Sequence, residues 1–174
     1  KDDFIEFYKK KYVIFAVVRN PYTRILSEFK YWIEFIKTYP MLKQKIMCFY
    51  NDNLSLTAEN LNNFVERVCN KNNAFALDGH LLPQYVYIYK NDDFIDKNKL
   101  ADTVLRFEHI NDDFNKFIRI NKLDIPQNSL KNTKHNVSDN DLSVGDLTQK
   151  SLDIIYKYYY NDFKLFNYDK KANF

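Results

Sequence analysis

Residues 13–18, VIFAVV, form an unbroken apolar run, rich in β-branched side chains and too short to cross a membrane. Such a run reads as a central strand covered on both faces. Directly after it the period changes. Ile25, Phe29, Trp32, Ile33 and Ile36 recur at helical spacing as one apolar stripe, while Arg24, Ser27 and Tyr31 share another face. The helix should begin near Pro21, whose missing N–H is no loss at a first helical position and whose φ is already helical. Residues 57–70 predict a second helix, with Thr57 as N-cap, Glu59 and Asn60 in the first turn, and Leu61, Phe64, Val65 and Val68 as its apolar face. Residues 104–107 predict another core strand, 111–120 a helix packed through Phe114, Phe117 and Ile118, and 147–166 a long closing helix. Residues 1–10 read as the end of a helix, 41–50 as a short helix, 85–89 as a short strand or part of a loop, and 129–146 as polar and irregular. The alternation is that of an α/β fold, an incomplete parallel sheet with helices around it.

The 174 residues suffice for one domain with a real core, and no linker or composition shift divides residues 1–174. A net charge of +3 is too small and too evenly spread for a nucleic-acid surface, although it suits an anionic cofactor or an acidic glycan. The aromatic residues fall at core periods and do not alternate with lysines, which also argues against a nucleic-acid partner. Tyrosine, phenylalanine, lysine and asparagine are abundant together, so the tyrosines are not read as a sugar platform from composition. Cys48 and Cys69 lack metal-ligand spacing; they are reduced core residues or one disulfide, with the reduced reading favoured. Asn53-Leu54-Ser55 and Asn136-Val137-Ser138 fit a glycosylation triplet that an asparagine-rich chain also produces by chance. Neither a signal peptide nor an apolar span of membrane length is found.

The candidate chemistry starts at the end of the first strand. In open α/β sheets ligands bind outside the carboxyl ends of strands, where Arg19 is placed. Arg24 and Ser27 follow one turn apart, beside what should be the exposed N–H groups of a helix start. Two guanidinium groups and a hydroxyl make a usable phosphate site, each charge-assisted hydrogen bond being worth roughly 1.5 to 3 kcal/mol. The same spacing also fits two solvated arginines on a surface helix.

The segment RNPYTRILSEF at 19–29 resembles the 3′-phosphate-binding motif of the sulfotransferases, R-[DN]-P-x-x-R-x-x-S-x-[YF], with every defining position filled. The resemblance implies that Arg19 and Ser27 hold the 3′-phosphate of 3′-phosphoadenosine 5′-phosphosulfate (PAPS) and that Arg24 supports them. DGHLLPQ at 78–84 resembles the H-x-x-P-Q element of the carbohydrate sulfotransferases that modify chondroitin, dermatan and related glycans. VLRFEHI at 104–110, with Asp112, Asp113 and Phe114, is similar to their strand-plus-helix element. KHNVS at 134–138 resembles a loop with an Asn-x-Ser core, and Tyr159, Asp162, Phe163, Phe166 and Tyr168 match a terminal Y-x-x-D-F-x-x-F-x-Y pattern. What this resemblance implies is an incomplete P-loop-NTPase-like parallel sheet flanked by helices, the sulfotransferase fold. It also implies sulfuryl transfer from PAPS to a glycan hydroxyl with no required metal. The implied place is the lumenal side of the Golgi membrane, held only through an N-terminal anchor missing from this sequence; a cytoplasmic place is the alternative.

Nothing before Val13 matches the strand, loop and helix that bind the 5′-phosphosulfate in such enzymes, and the sequence holds only two glycines, Gly79 and Gly145. A phosphate-cradling loop needs small residues. The expectation is therefore a truncated domain, with a noncatalytic remnant that binds a 3′-phosphonucleotide or a glycan as the alternative. Within the chain, His80 is the best available catalytic base or acceptor-binding group, against an orienting or structural role. Gln84 is either a substrate contact or a turn-stabilising amide. Glu108 follows a core strand as Arg19 does and either faces the same cleft or, the favoured reading, pairs with Arg106 or a nearby lysine, and His109 is read as a helix start. Lys134, Asn136 and Ser138 form either a second cofactor-binding site, closing over the nucleotide phosphates as the resemblance implies, or a surface loop.

Overall fold

The structure, a computed structural model, describes residues 8, 11–42, 55–69, 79–90, 94, 98–130 and 142–171. The helices expected at 1–10 and 41–50 lie largely outside the described residues, as does most of 129–146. In chain order the elements are β1 (Phe15–Val18), α1 (Pro21–Thr38), α2 (Ala58–Val68), a helical turn α3 (Tyr85–Ile88), β2 (Thr103–Arg106), α4 (Ile110–Ile120), α5 (Gln149–Tyr158) and α6 (Tyr160–Leu165). Short 3₁₀ turns stand at Pro40–Leu42, Phe107–His109 and Val144–Asp146. The chain forms two compact units, one of Lys1–Arg19 with Gln84–His135, the other of Asn20–Pro83 with Asn136–Phe174.

In the first unit β1 and β2 pair in parallel, Phe15 opposite Thr103 and Val18 opposite Arg106. Parallel neighbours so far apart in sequence are the α/β arrangement that the alternation predicts. Contrary to expectation, β1 is not covered on both faces. Its side chains alternate between faces, and Phe15 and Val17 are 42% and 45% exposed whereas Val18 is buried. On the Phe15 face the rings of Phe114 and Phe117 from α4 come within 5.8 and 5.0 Å of the Phe15 centroid, which leaves Val17 open. Backbone donors at the sheet ends find carboxylates. Ile14 N–H donates to Asp102 (2.8 Å) and Arg106 N–H to Asp113 (2.8 Å). Asp113 lies in the first turn of α4, where a negative charge also meets the positive end of the helix dipole. Residues 85–89 are neither strand nor loop. Gln84 already has helical angles, Tyr89 N–H bonds the Tyr85 carbonyl at 2.8 Å, and only Tyr89 joins an isolated bridge, to Lys99.

The second unit holds the larger core. Helix α1 starts at Pro21 as predicted and buries Ile25, Phe29, Trp32, Ile33 and Ile36. Helix α2 is capped by Thr57, whose hydroxyl accepts from Asn60 N–H at 3.2 Å, and it buries Leu61, Phe64, Val65 and Val68. The two stripes meet, with Phe29 and Phe64 ring centroids 5.5 Å apart. Tyr22, Cys69, Leu81, Val144, Leu147, Ile155, Tyr159 and Phe163 complete the cluster. The long closing helix expected over 147–166 is instead two, α5 and α6. Tyr159 departs from helical angles (φ −100°, ψ 25°) at their joint, its ring fully inside the core and its hydroxyl donating to the Leu81 carbonyl at 2.8 Å. Backbone bonding continues through the joint, Tyr159 N–H donating to the Ile155 carbonyl at 2.9 Å and Phe163 N–H to the Tyr159 carbonyl at 3.1 Å, while the buried phenol keeps a partner of its own.

Candidate functional site

Arg19 follows β1, in the first unit. Its backbone is held at both ends by one side chain: Gln84 Oε1 accepts from Arg19 N–H and Gln84 Nε2 donates to the Arg19 carbonyl, each at 2.8 Å. Gln84, expected as a substrate contact or a turn-stabilising amide, is buried and bonds the chain itself through both ends of its amide. The Arg19 guanidinium lies over the ring of Phe107, 4.5 Å from its centroid, a cation–π contact.

In the second unit the start of α1 differs from the open helix terminus expected from the sequence. Asn20 Oδ1 accepts from Tyr22 N–H at 2.9 Å, and Asn20, Pro21 and Tyr22 are all buried. The helix start is thus capped by its own Asn20, which takes up the Tyr22 N–H. One turn on, Arg24 serves the protein itself: its terminal nitrogens donate to the carbonyls of Leu82 (2.8 Å) and His80 (2.5 Å). Its guanidinium also stands 5.6 Å from the centroid of the Tyr159 ring. A planar fork suits two carbonyls in this way. Ser27 lies on the same helix, partly exposed, and no hydrogen bond among the described residues engages its hydroxyl.

The segment that Arg24 holds begins at Gly79, whose φ of 81° favours glycine and allows Leu82 N–H to reach the Gly79 carbonyl at 2.9 Å. That turn presents His80 against α1. Nδ1 of His80 lies 3.2 Å from Oε2 of Glu28, and the ring stacks on Tyr31 (6.1 Å, 15°) and meets Trp32 edge-on (5.4 Å, 64°). Tyr31 continues into a row of rings at successive helical turns: Tyr31 to Phe35 is 5.7 Å and Phe35 to Tyr39 is 4.8 Å between centroids, with Tyr31 and Tyr39 exposed. Beneath the segment, burial pushes the Tyr159 hydroxyl and the Cys69 thiol well above their ordinary ranges, and the Arg24 charge partly opposes both shifts. Cys69 is a free thiol; Cys48 lies outside the described residues.

Of the remaining expected residues, Lys134, Asn136 and Ser138 lie outside the described residues. Glu108 is exposed in the 3₁₀ turn after β2, and His109 stands where α4 starts, as expected, with no capping bond from its side chain. Among the described residues, no three His, Cys, Asp or Glu side chains gather as a metal site. Glu28 went unnoticed in the sequence because its partner is 52 positions away. Its spacing of four from Arg24, on the helix face that the apolar stripe leaves open, is the only signal that could have found it.

Comparison with known families matches residues 2–169 to the sulfotransferase family, and the chain belongs to that family. The mixed α/β structure, with its small parallel sheet flanked by helices, is consistent with the sulfotransferase fold. No curated protein and no solved structure matches the chain. Among the described residues no helix is long and apolar enough to cross a membrane.

Proposed function

We propose that this chain transfers a sulfuryl group from PAPS to a hydroxyl of a glycan. The observation that carries the reading is segment 19–29: in a chain of the sulfotransferase family it fills every position of the 3′-phosphate motif and folds as a strand end, a turn and a helix. Arg19 and Ser27 are the 3′-phosphate ligands, supported by a guanidinium that rests on an aromatic face and a hydroxyl that no described residue engages. Arg24 supports them by holding the His80 turn and makes no phosphate contact. Lys134, Asn136 and Ser138 supply further phosphate contacts. His80 takes the proton of the acceptor hydroxyl. A sugar acceptor is supported by the exposed rings of Tyr31 and Tyr39, with the partly buried Phe35 between them, since the C–H faces of pyranose rings pack on aromatic faces. The corresponding place of action is the lumenal side of the Golgi membrane.

Calorimetric titration of the chain with 3′-phosphoadenosine 5′-phosphate, against adenosine 5′-phosphate as control, tests the donor half of this reading. Tighter binding of the bisphosphate supports it. Equal binding of the two, or none by a folded chain, overturns it. Transfer of labelled sulfate from PAPS to desulfated chondroitin or dermatan tests the acceptor half.

A further inference from the structure

We propose that Glu28 is a positioning residue for His80: its carboxylate holds the imidazole in the tautomer with hydrogen on Nδ1, so that Nε2 keeps the lone pair. This rests on the sulfotransferase reading above and adds to it the device that makes His80 a base. Nδ1 and Glu28 Oε2 are 3.2 Å apart. An ionised carboxylate only accepts hydrogen bonds, so the shared hydrogen belongs to the ring nitrogen. The hydrogen bond at one ring nitrogen then decides what the other can do.

Contacts independent of the carboxylate keep the ring in place. Tyr31 lies nearly parallel to it and Trp32 meets it edge-on. Arg24 grips the backbone on either side of Leu81, through the carbonyls of His80 and Leu82. Arg24, Glu28, Tyr31 and Trp32 all come from α1, so a single rigid helix sets backbone, ring plane and tautomer together. Exposure runs in the sense a base requires: the Glu28 side chain is 19% exposed and that of His80 44%. The carboxylate sits inward, where reduced water contact strengthens its hold, and the imidazole stays accessible.

The proton step balances on these atoms. Nε2 takes the proton of the acceptor hydroxyl as its oxygen bonds to sulfur. The bond from sulfur to the bridging 5′-phosphate oxygen breaks, and its electron pair leaves with the phosphate. His80 becomes an imidazolium whose positive charge the Glu28 carboxylate offsets.

The test uses the full chain labelled with ¹⁵N-histidine, in which His80 is one of three histidines and is assigned with His80→Asn. Two-bond ¹H–¹⁵N correlation of the neutral ring is expected to place the hydrogen on Nδ1 in the parent protein. Glu28→Ala should move it toward Nε2. Glu28→Gln, whose amide oxygen still accepts, should keep the Nδ1–H tautomer. In the transfer assay Glu28→Ala should lower kcat by about 100-fold, the scale of general-base assistance, with KM for PAPS unchanged. Glu28→Gln should fall less. Where the alanine variant fails to fold, Glu28→Asp withdraws the carboxylate by one methylene with the charge kept, and the same shift toward Nε2 is expected. Hydrogen on Nε2 in the parent protein, or a tautomer indifferent to both shortened side chains, overturns the proposal. An absence of bisphosphate binding sinks the sulfotransferase reading instead, and the tautomer comparison still decides whether Glu28 sets the His80 ring.

Discussion

Gln84 and Arg19, 65 positions apart, are joined by two hydrogen bonds of 2.8 Å in which one side-chain amide closes on one residue's N–H and carbonyl. This is the pairing a neighbouring strand would give, supplied by a side chain at the point where β1 ends. It secures the backbone that carries the first arginine of the phosphate motif.

Gln84→Ala leaves both Arg19 backbone groups without these partners in a part-buried place. Loss of a buried partner costs about 1 to 3 kcal/mol. Urea unfolding should show a loss of that size at an unchanged m-value; a midpoint equal to the parent's would show that water replaces the amide without penalty.

Arg24 and Arg19 should separate by function. Arg24→Ala removes two charge-assisted hydrogen bonds to the His80 and Leu82 carbonyls, each worth about 1.5 to 3 kcal/mol. Arg24→Lys should recover little of this, since one ammonium cannot reproduce the fork. Thermal unfolding should fall in both variants while affinity for 3′-phosphoadenosine 5′-phosphate changes less than in Arg19→Ala. The reverse ranking would return Arg24 to the phosphate.

Arg19→Ala is expected to abolish binding of 3′-phosphoadenosine 5′-phosphate. Ser27→Ala should weaken it by about 1 kcal/mol, the scale of a single hydrogen bond. Titration calorimetry on both variants reads the difference directly, and parent-like affinity in both would remove the site from segment 19–29.

Alkaline conditions should weaken the fold through its buried tyrosines. Burial, aided by nearby Asp153, pushes the Tyr22 hydroxyl up to about 12 from its usual 10, while its hydroxyl donates to the Lys170 carbonyl at 2.9 Å. A raised pKa means that the folded chain keeps a proton that the unfolded chain releases, so the stabilisation is complete below about pH 10 and is lost as pH rises toward 12. Each unit of separation is worth about 1.4 kcal/mol. Urea midpoints measured from pH 8 to 11 should fall above pH 10, and Tyr22→Phe should flatten part of that slope. Tyr159 is shifted in the same direction and adds to that slope, while Cys69, raised from an ordinary value of 9.0, adds one that begins at lower pH.

Local sequence determined the elements whose causes are local. Pro21 after Asn20, the stripe from Ile25 to Ile36, the Thr57 cap and, within one residue, the strand expected at 104–107 and found at 103–106 were all legible, because capping and periodicity depend on neighbours a few positions away. The family was legible for a related reason, since segment 19–29 is a contiguous motif and residues 2–169 match the sulfotransferase family. Tertiary structure alone decided how the polar residues are used. Nothing near Arg24 in sequence says that its guanidinium closes on the carbonyls of His80 and Leu82, nothing near Gln84 names Arg19, and nothing near Ser27 and Glu28 announces that His80 arrives beside the second. At Tyr159, where the predicted closing helix divides in two, the buried hydroxyl likewise finds its partner in the Leu81 carbonyl, at a separation of 78 residues. A polar side chain has many acceptable partners at similar energy, and only the packed chain selects which one lies within hydrogen-bonding distance.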